Sequence, residues 1–94
     1  MYIAVRRSKL APNTIDEAIR RIQEGFLPLI SQMPGFITYY VVDVGDDTIM
    51  TVNIFEDQAG ADASTQAASD WAQKNLASMV TPLDVVAGTV IASI

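Results

Sequence analysis

The chain contains no cysteine and no histidine. Without cysteine there are no disulfides, and without either residue the side chains that normally bind zinc, haem and iron–sulfur clusters are missing. No metal site and no cofactor is therefore expected. Cations are scarce as well: six Lys and Arg stand against eleven Asp and Glu, for a net charge of −5. Nucleic-acid binding needs clustered cations against phosphates, so nucleic acid is excluded as a partner. No apolar run reaches spanning length, which excludes a membrane partner. Met1-Tyr2-Ile3 enters directly into a strand-like pattern, without the basic and then apolar segments of a secretory leader. A soluble, cytoplasmic protein is expected.

What is present is largely apolar. Half of the 94 residues are hydrophobic and 18% are charged, a composition suited to packing rather than disorder. One domain spanning residues 1–94 is expected, near the lower end of the sizes that bury a core. So small and apolar a chain has more hydrophobic surface than a few elements can hide, and a partner chain should cover part of it.

Met1 to Arg7 suits a strand. Thr14-Ile15-Asp16-Glu17 offers a capping box, and Ile15, Ala18, Ile19, Ile22, Phe26, Leu29 and Ile30 then recur at helical spacing. Pro28 falls inside that pattern and predicts a kinked or irregular end. Two β-branched and aromatic runs between Met33 and Phe55, joined by Gly45-Asp46-Asp47, read as a hairpin. A second helix should start near Asp57 or Ala59, bury Ala61, Ala68, Trp71 and Leu76, and stop at Pro82. Asp84 to Ile94 reads as a last strand, with Gly88 marking a bulge or close approach. The pairs Arg6-Arg7 and Arg20-Arg21 read as a solvated strand end and a polar helix face. Asp43, Asp46 and Asp47 read as turn formers. The order βαββαβ is that of the ferredoxin-like α+β fold: a four-stranded antiparallel sheet with both helices on one face.

A hairpin turn at Gly45-Asp46 sets Val44 opposite Asp47, Tyr40 opposite Thr51 and Thr38 opposite Asn53. Alternation then puts Ile37, Tyr39, Val41, Met50, Val52 and Ile54 beneath the helices. Thr38, Tyr40, Val42, Ile49, Thr51, Asn53 and Phe55 fall on the opposite face. That face is too apolar for water and too polar for a plain core. Two such sheets packed about 10 Å apart would cover it, so a homodimer through the sheet face is expected, with Tyr40, Thr51 and Asn53 lining the space between.

Pro34-Gly35-Phe36 before a strand, then Phe55-Glu56-Asp57 leading into an Ala-rich helix with a Trp, resembles the antibiotic biosynthesis monooxygenase domains. These belong to the dimeric α+β barrel superfamily. The resemblance spans almost the whole chain and implies a homodimer with a cavity between sheet and helices in each protomer. Some members of that family oxidise phenols or quinols with molecular oxygen and no cofactor. Others degrade haem on a histidine-ligated iron, and others have no assigned activity. The absence of histidine excludes the haem-degrading activity here. The cofactor-free oxygenases use Asn, Trp, Tyr and Arg on an aromatic substrate, residue types present as Asn53, Trp71, Tyr40 and Arg6.

Asn53 is the sharpest catalytic candidate, because Asn is depleted in strands and its amide would stabilise an enolate or phenolate. The competing role is a structural amide. Tyr40, Thr51, Thr38 and Trp71 are candidate ligand-binding residues, although a lone Trp on an apolar helix stripe reads first as core packed against the sheet. With no histidine, a general base must be a carboxylate, a tyrosinate or the substrate's own acidity. The expected function is a cofactor-independent monooxygenase acting on an aromatic or enolisable small molecule. The alternative is a non-catalytic ligand-binding or structural dimer, since a fold alone does not license an activity.

Overall fold

Alternation along Tyr2–Leu10 (β1) sends Ala4 and Leu10 into the core and Arg7 to solvent. The computed structural model describes residues 1–94, and β1 is its second strand from one edge. The other strands are β2 (Phe36–Gly45), β3 (Thr48–Phe55) and β4 (Val80–Thr89). They pair antiparallel in the order β2-β3-β1-β4. Helix α1 (residues 15–30) connects β1 to β2, and α2 (Gln58–Asn75) connects β3 to β4. This is the ferredoxin-like fold that the element order predicts. Phe55 and Ile30 are fully buried between sheet and helices, and the core continues through Ile22, Phe26, Ile49 and Ala68.

Helix α1 is α-helical over Ile15–Arg21, π-helical over Ile22–Phe26 and α-helical again over Leu27–Ile30. The irregularity expected at Pro28 lies just before it, and Pro28 itself occupies the first turn of the restarted α-segment, where it needs no donor. Thr14 makes no side-chain cap; its hydroxyl donates instead to the Ala11 carbonyl at 2.7 Å. Glu17, released from the capping role, takes hydrogen bonds from Arg20 and Arg21. Helix α2 is capped as its sequence suggests: the Gly60 N–H donates to Asp57 Oδ1 at 2.8 Å.

Three other expectations need correction. The hairpin turn is Asp46-Asp47, not Gly45-Asp46: both aspartates have positive φ (55° and 54°), and Gly45 (φ 87°) lies one position earlier. The Asp43 carboxylate accepts the Gly45 N–H at 2.9 Å and stabilises this bulged entry to the turn. Pairing therefore slips by one, to Tyr39 with Asn53, Tyr40 with Val52 and Val41 with Thr51. A one-residue slip exchanges the faces of a whole strand. Second, α2 ends at Asn75, and Pro82 lies within β4 opposite Ser8. Third, the irregularity of β4 falls between Arg7 and Ser8, where the edge strand accommodates that proline, while Gly88 pairs regularly with Ile3.

Candidate functional site

The corrected register decides which side chains meet beneath the helices. Residues directly opposite one another share a face. Arg6 lies opposite Thr51, Ala4 opposite Asn53, and Tyr39 opposite Asn53, so Arg6, Thr51, Asn53 and Tyr39 all face the helices. Thr51 and Asn53 were expected on the uncovered face; instead they are buried at 8% and 5% exposure. Thr38 and Tyr40 do lie on the uncovered face, and Tyr40 is 57% exposed there.

A cleft of about 50 Å³ lies between sheet and helices. Trp71 of α2, Phe26 of α1 and Tyr39 of β2 fill most of the space around it. Their rings form a row, with centroids 5.5 Å apart from Trp71 to Phe26 and 5.5 Å from Phe26 to Tyr39. Among these aromatics the cleft meets Arg6, Ser8 and Thr51 from the sheet. Burial pushes the Tyr39 phenol above its ordinary 10.0, partly offset by the Thr51 hydroxyl and the Arg6 guanidinium. A phenol shifted in that direction stays protonated at neutral pH, so it serves as a hydrogen-bond donor and not as a tyrosinate base.

The position of Trp71 depends on the π-helical turn. Gly25 stands against the indole so closely that a Cβ there would lie 3.0 Å from Cζ2. Glycine at 25 is thus a requirement of close approach. Asn53, the leading catalytic candidate, does not line the cleft. Its Nδ2 donates to Ser64 Oγ at 2.5 Å, and that hydroxyl donates to the Ala61 carbonyl at 2.7 Å. The amide joins the sheet to α2.

Two grooves open from the cleft to the surface. One, about 440 Å³, runs between α1 and the edge strand β2 and shares Ile22 and Tyr39 with the cleft. The other, about 490 Å³, runs between α2 and β4 and shares Arg6, Ser8, Ala72 and Val80 with it. Of the ligand-binding candidates, Thr51 and Trp71 are therefore at the cleft, and Tyr40 and Thr38 are on the far side of the sheet. Tyr39 and Arg6 line it in their place. The only sequence signal for Arg6 was its residue type, one of those the cofactor-free oxygenases use; alternation sets it on the other side from Arg7 without saying which of the two faces the helices.

The uncovered face of the sheet carries Ile3, Val5, Met50, Val52 and Ile54, with Tyr40 and Val86 standing well exposed (57% and 70%). It is more uniformly apolar than the expected register made it. No helix is long and apolar enough to cross a membrane.

A family model described as antibiotic biosynthesis monooxygenase matches residues 1–69. No curated protein matches the sequence. Among solved structures, the NE2512 protein of unknown function from Nitrosomonas europaea is 21% identical, with 98% of this chain and 90% of that chain covered and a TM-score of 0.77. SnoaB, a cofactor-independent oxygenase from Streptomyces nogalater, is 14% identical, with 98% and 94% covered and a TM-score of 0.70. A dimeric ferredoxin-like protein from an uncultured marine organism is 11% identical, with 100% and 98% covered and a TM-score of 0.76. At such identities these structural likenesses show the fold alone.

Proposed function

Since this chain belongs to the antibiotic biosynthesis monooxygenase family, we propose that it is a cofactor-independent monooxygenase. Its substrate would be an aromatic or enolisable small molecule bound between sheet and helices in each protomer of a homodimer. The observation that carries this reading is the convergence of Arg6, Ser8, Tyr39 and Thr51 on a cleft otherwise walled by Trp71, Phe26 and aliphatic side chains. A few convergent polar groups in an apolar cleft are what binding and orienting a small aromatic requires. SnoaB, of the same fold, is a cofactor-independent oxygenase, which supports the assignment.

In such a reaction the substrate supplies the electrons. Loss of a proton gives an enolate or phenolate, which reduces oxygen; a CH₂ becomes C=O, and the second oxygen atom leaves as water. The Arg6 guanidinium and the Tyr39 hydroxyl are the donors proposed to stabilise the anion as it forms. Asn53, tied to Ser64, is proposed to hold the sheet to α2 rather than to touch substrate.

The homodimer is supported by the apolar uncovered face and by the dimeric relative of the same fold. There the exposed Tyr40 and the neighbouring Thr38 become interface residues.

The test is oxygen uptake with a panel of anthrones, quinols and electron-rich phenols. Arg6→Gln and Tyr39→Phe are each expected to lower turnover by ~10²-fold, the scale for removing one oxyanion donor. The second reading, a non-catalytic dimer, has one observation in its favour: a cleft of about 50 Å³ holds little beyond water until Trp71 moves. No uptake by the wild type with any substrate would establish it.

A further inference from the structure

Every arginine except Arg6 has a carboxylate partner. Arg7 pairs with Asp84 at 2.7 Å, Arg20 with Glu17 and Glu24, and Arg21 with Glu17. Arg6 is half-buried; its Nη1 donates to the Thr65 carbonyl at a long 3.4 Å, and the guanidinium also lies against the Tyr39 hydroxyl. No carboxylate takes its fork of donors, in a place where water is partly excluded. A guanidinium so placed is costly to leave without an anion.

Arg6 also stands at the wall common to the aromatic cleft and the α2/β4 groove. That groove, about 490 Å³, is roomy enough for a small organic molecule, as the cleft is not. Its α2 side presents Thr65, Gln66, Ser69 and Gln73. The acidic group on its β4 side, Asp84, is already held by Arg7 through hydrogen bonds of 3.0 and 2.7 Å. Gln66 is likewise occupied, donating to Asp70 at 3.0 Å. The groove thus offers one uncompensated cation flanked by neutral hydroxyl and amide groups. A chain of net charge −5 repels polyanions, so a single negative charge fits best.

We propose that the α2/β4 groove binds a small organic carboxylate, its carboxylate held by the Arg6 fork and its body lying along Ser69 and Gln73 toward the cleft. This deepens the monooxygenase reading by making its substrate an acid. It rests on that reading for the chemistry, but not for the binding.

Binding is measured without turnover, by ¹⁵N-edited NMR titration of the full chain with 2-naphthoate and with 2-naphthamide, the same ring without the charge. The wild type is expected to bind naphthoate at least ~10-fold more tightly, the scale of a charge-assisted hydrogen bond, with shifts centred on Ser69 and Gln73. Arg6→Gln should abolish that preference, and Arg6→Lys, which lacks the planar fork, should keep only part of it. Equal affinity for the two probes, an undiminished preference in Arg6→Gln, or no naphthoate binding would overturn the proposal. So would inorganic phosphate displacing naphthoate with equal or higher affinity. If circular dichroism shows Arg6→Gln unfolded, Ser69→Phe fills the groove and leaves Arg6 in place. It must then abolish naphthoate binding, and retained binding overturns the proposal. A wild type that binds naphthoate yet consumes no oxygen with any substrate would refute the monooxygenase alone.

Discussion

Truncating Asn53 tests whether this amide is a structural tie or a free donor. Asn53 and Ser64 are 5% and 0% exposed, and the Nδ2–Oγ hydrogen bond between them links β3 to α2. A buried neutral hydrogen bond contributes about 0.5–1.5 kcal/mol net. Asn53→Ala leaves no orphaned donor, because the Ser64 hydroxyl still donates to Ala61, but it removes the bond and opens a small void. A loss of about 1–2 kcal/mol follows. Ser64→Ala deprives the buried amide of its partner and should cost about 1–3 kcal/mol. The double variant has no bond left to lose, so the two effects should fall short of additivity by about 1 kcal/mol. The assay is urea denaturation followed by far-ultraviolet circular dichroism, with Trp71 fluorescence as a second probe, on the wild type, both single variants and the double. Additivity within about 0.3–0.5 kcal/mol would show that the two side chains are not coupled. The amide would then be free to face a ligand, and Asn53 would return as the leading oxyanion donor.

Three further outcomes are expected. Hydrogen bonds from Arg20 and Arg21 lower the Glu17 carboxyl from its ordinary 4.5 to about 2. Its stabilising contribution is therefore complete above about pH 4.5 and lost as pH falls toward 2; melting curves across that range should show Glu17→Gln less acid-sensitive than wild type. Gly25→Ala gains helix propensity of about 0.5–1 kcal/mol, but its Cβ would lie 3.0 Å from the indole as it now stands and forces the ring to move. The emission of the single tryptophan should shift while the melting temperature stays within about 4–8 °C of wild type, and an unchanged spectrum would mean that Gly25 does not set the ring. Val52→Asp puts a charge in the middle of the uncovered sheet face. Light scattering coupled to size exclusion should find the wild type dimeric and the variant monomeric, and a monomeric wild type at micromolar concentration would refute the dimer.

Much of the fold was legible because long periodic segments dominate this chain. The apolar stripe of α1, the Asp57 cap of α2 and the β-branched runs of β2 and β3 each assigned an element, and their order assigned the topology. Register was less legible, and the reason is local. Glycine is the usual residue for positive φ, so Gly45 looked like a turn position; here two aspartates take the left-handed conformation and the glycine precedes them. Moving the turn alone would shift partners by two and keep the faces; the bulge between Asp43 and Gly45 makes the net slip one, and so moved Thr51 and Asn53 from one face of the sheet to the other. Within the cleft, Trp71 was named by its residue type on an apolar helix stripe, and Thr51 was named for a place on the uncovered face but lies on the other. Arg6 read as a solvated strand end, because nothing in the sequence distinguishes the paired Arg7 from its unpaired neighbour. Only the partner strands, with Asp84 opposite Arg7 and Thr51 opposite Arg6, separate the two.

The π-helical turn at Ile22–Phe26 makes the length of this helix, and not only its residues, a variable. Such a turn holds one residue more than the α-helical path it replaces. Elsewhere in a helix, deleting a residue rotates everything downstream by about 100° and turns a buried stripe toward water. Deleting one between Gln23 and Gly25 would instead let the segment relax to regular α-helix, with Ile30 still facing the core. What would disappear is the slack that brings the Gly25 backbone up to the indole of Trp71. Helix length at this one point is thus a dial on the shape of the aromatic cleft, adjustable by a single codon without disturbing the sheet.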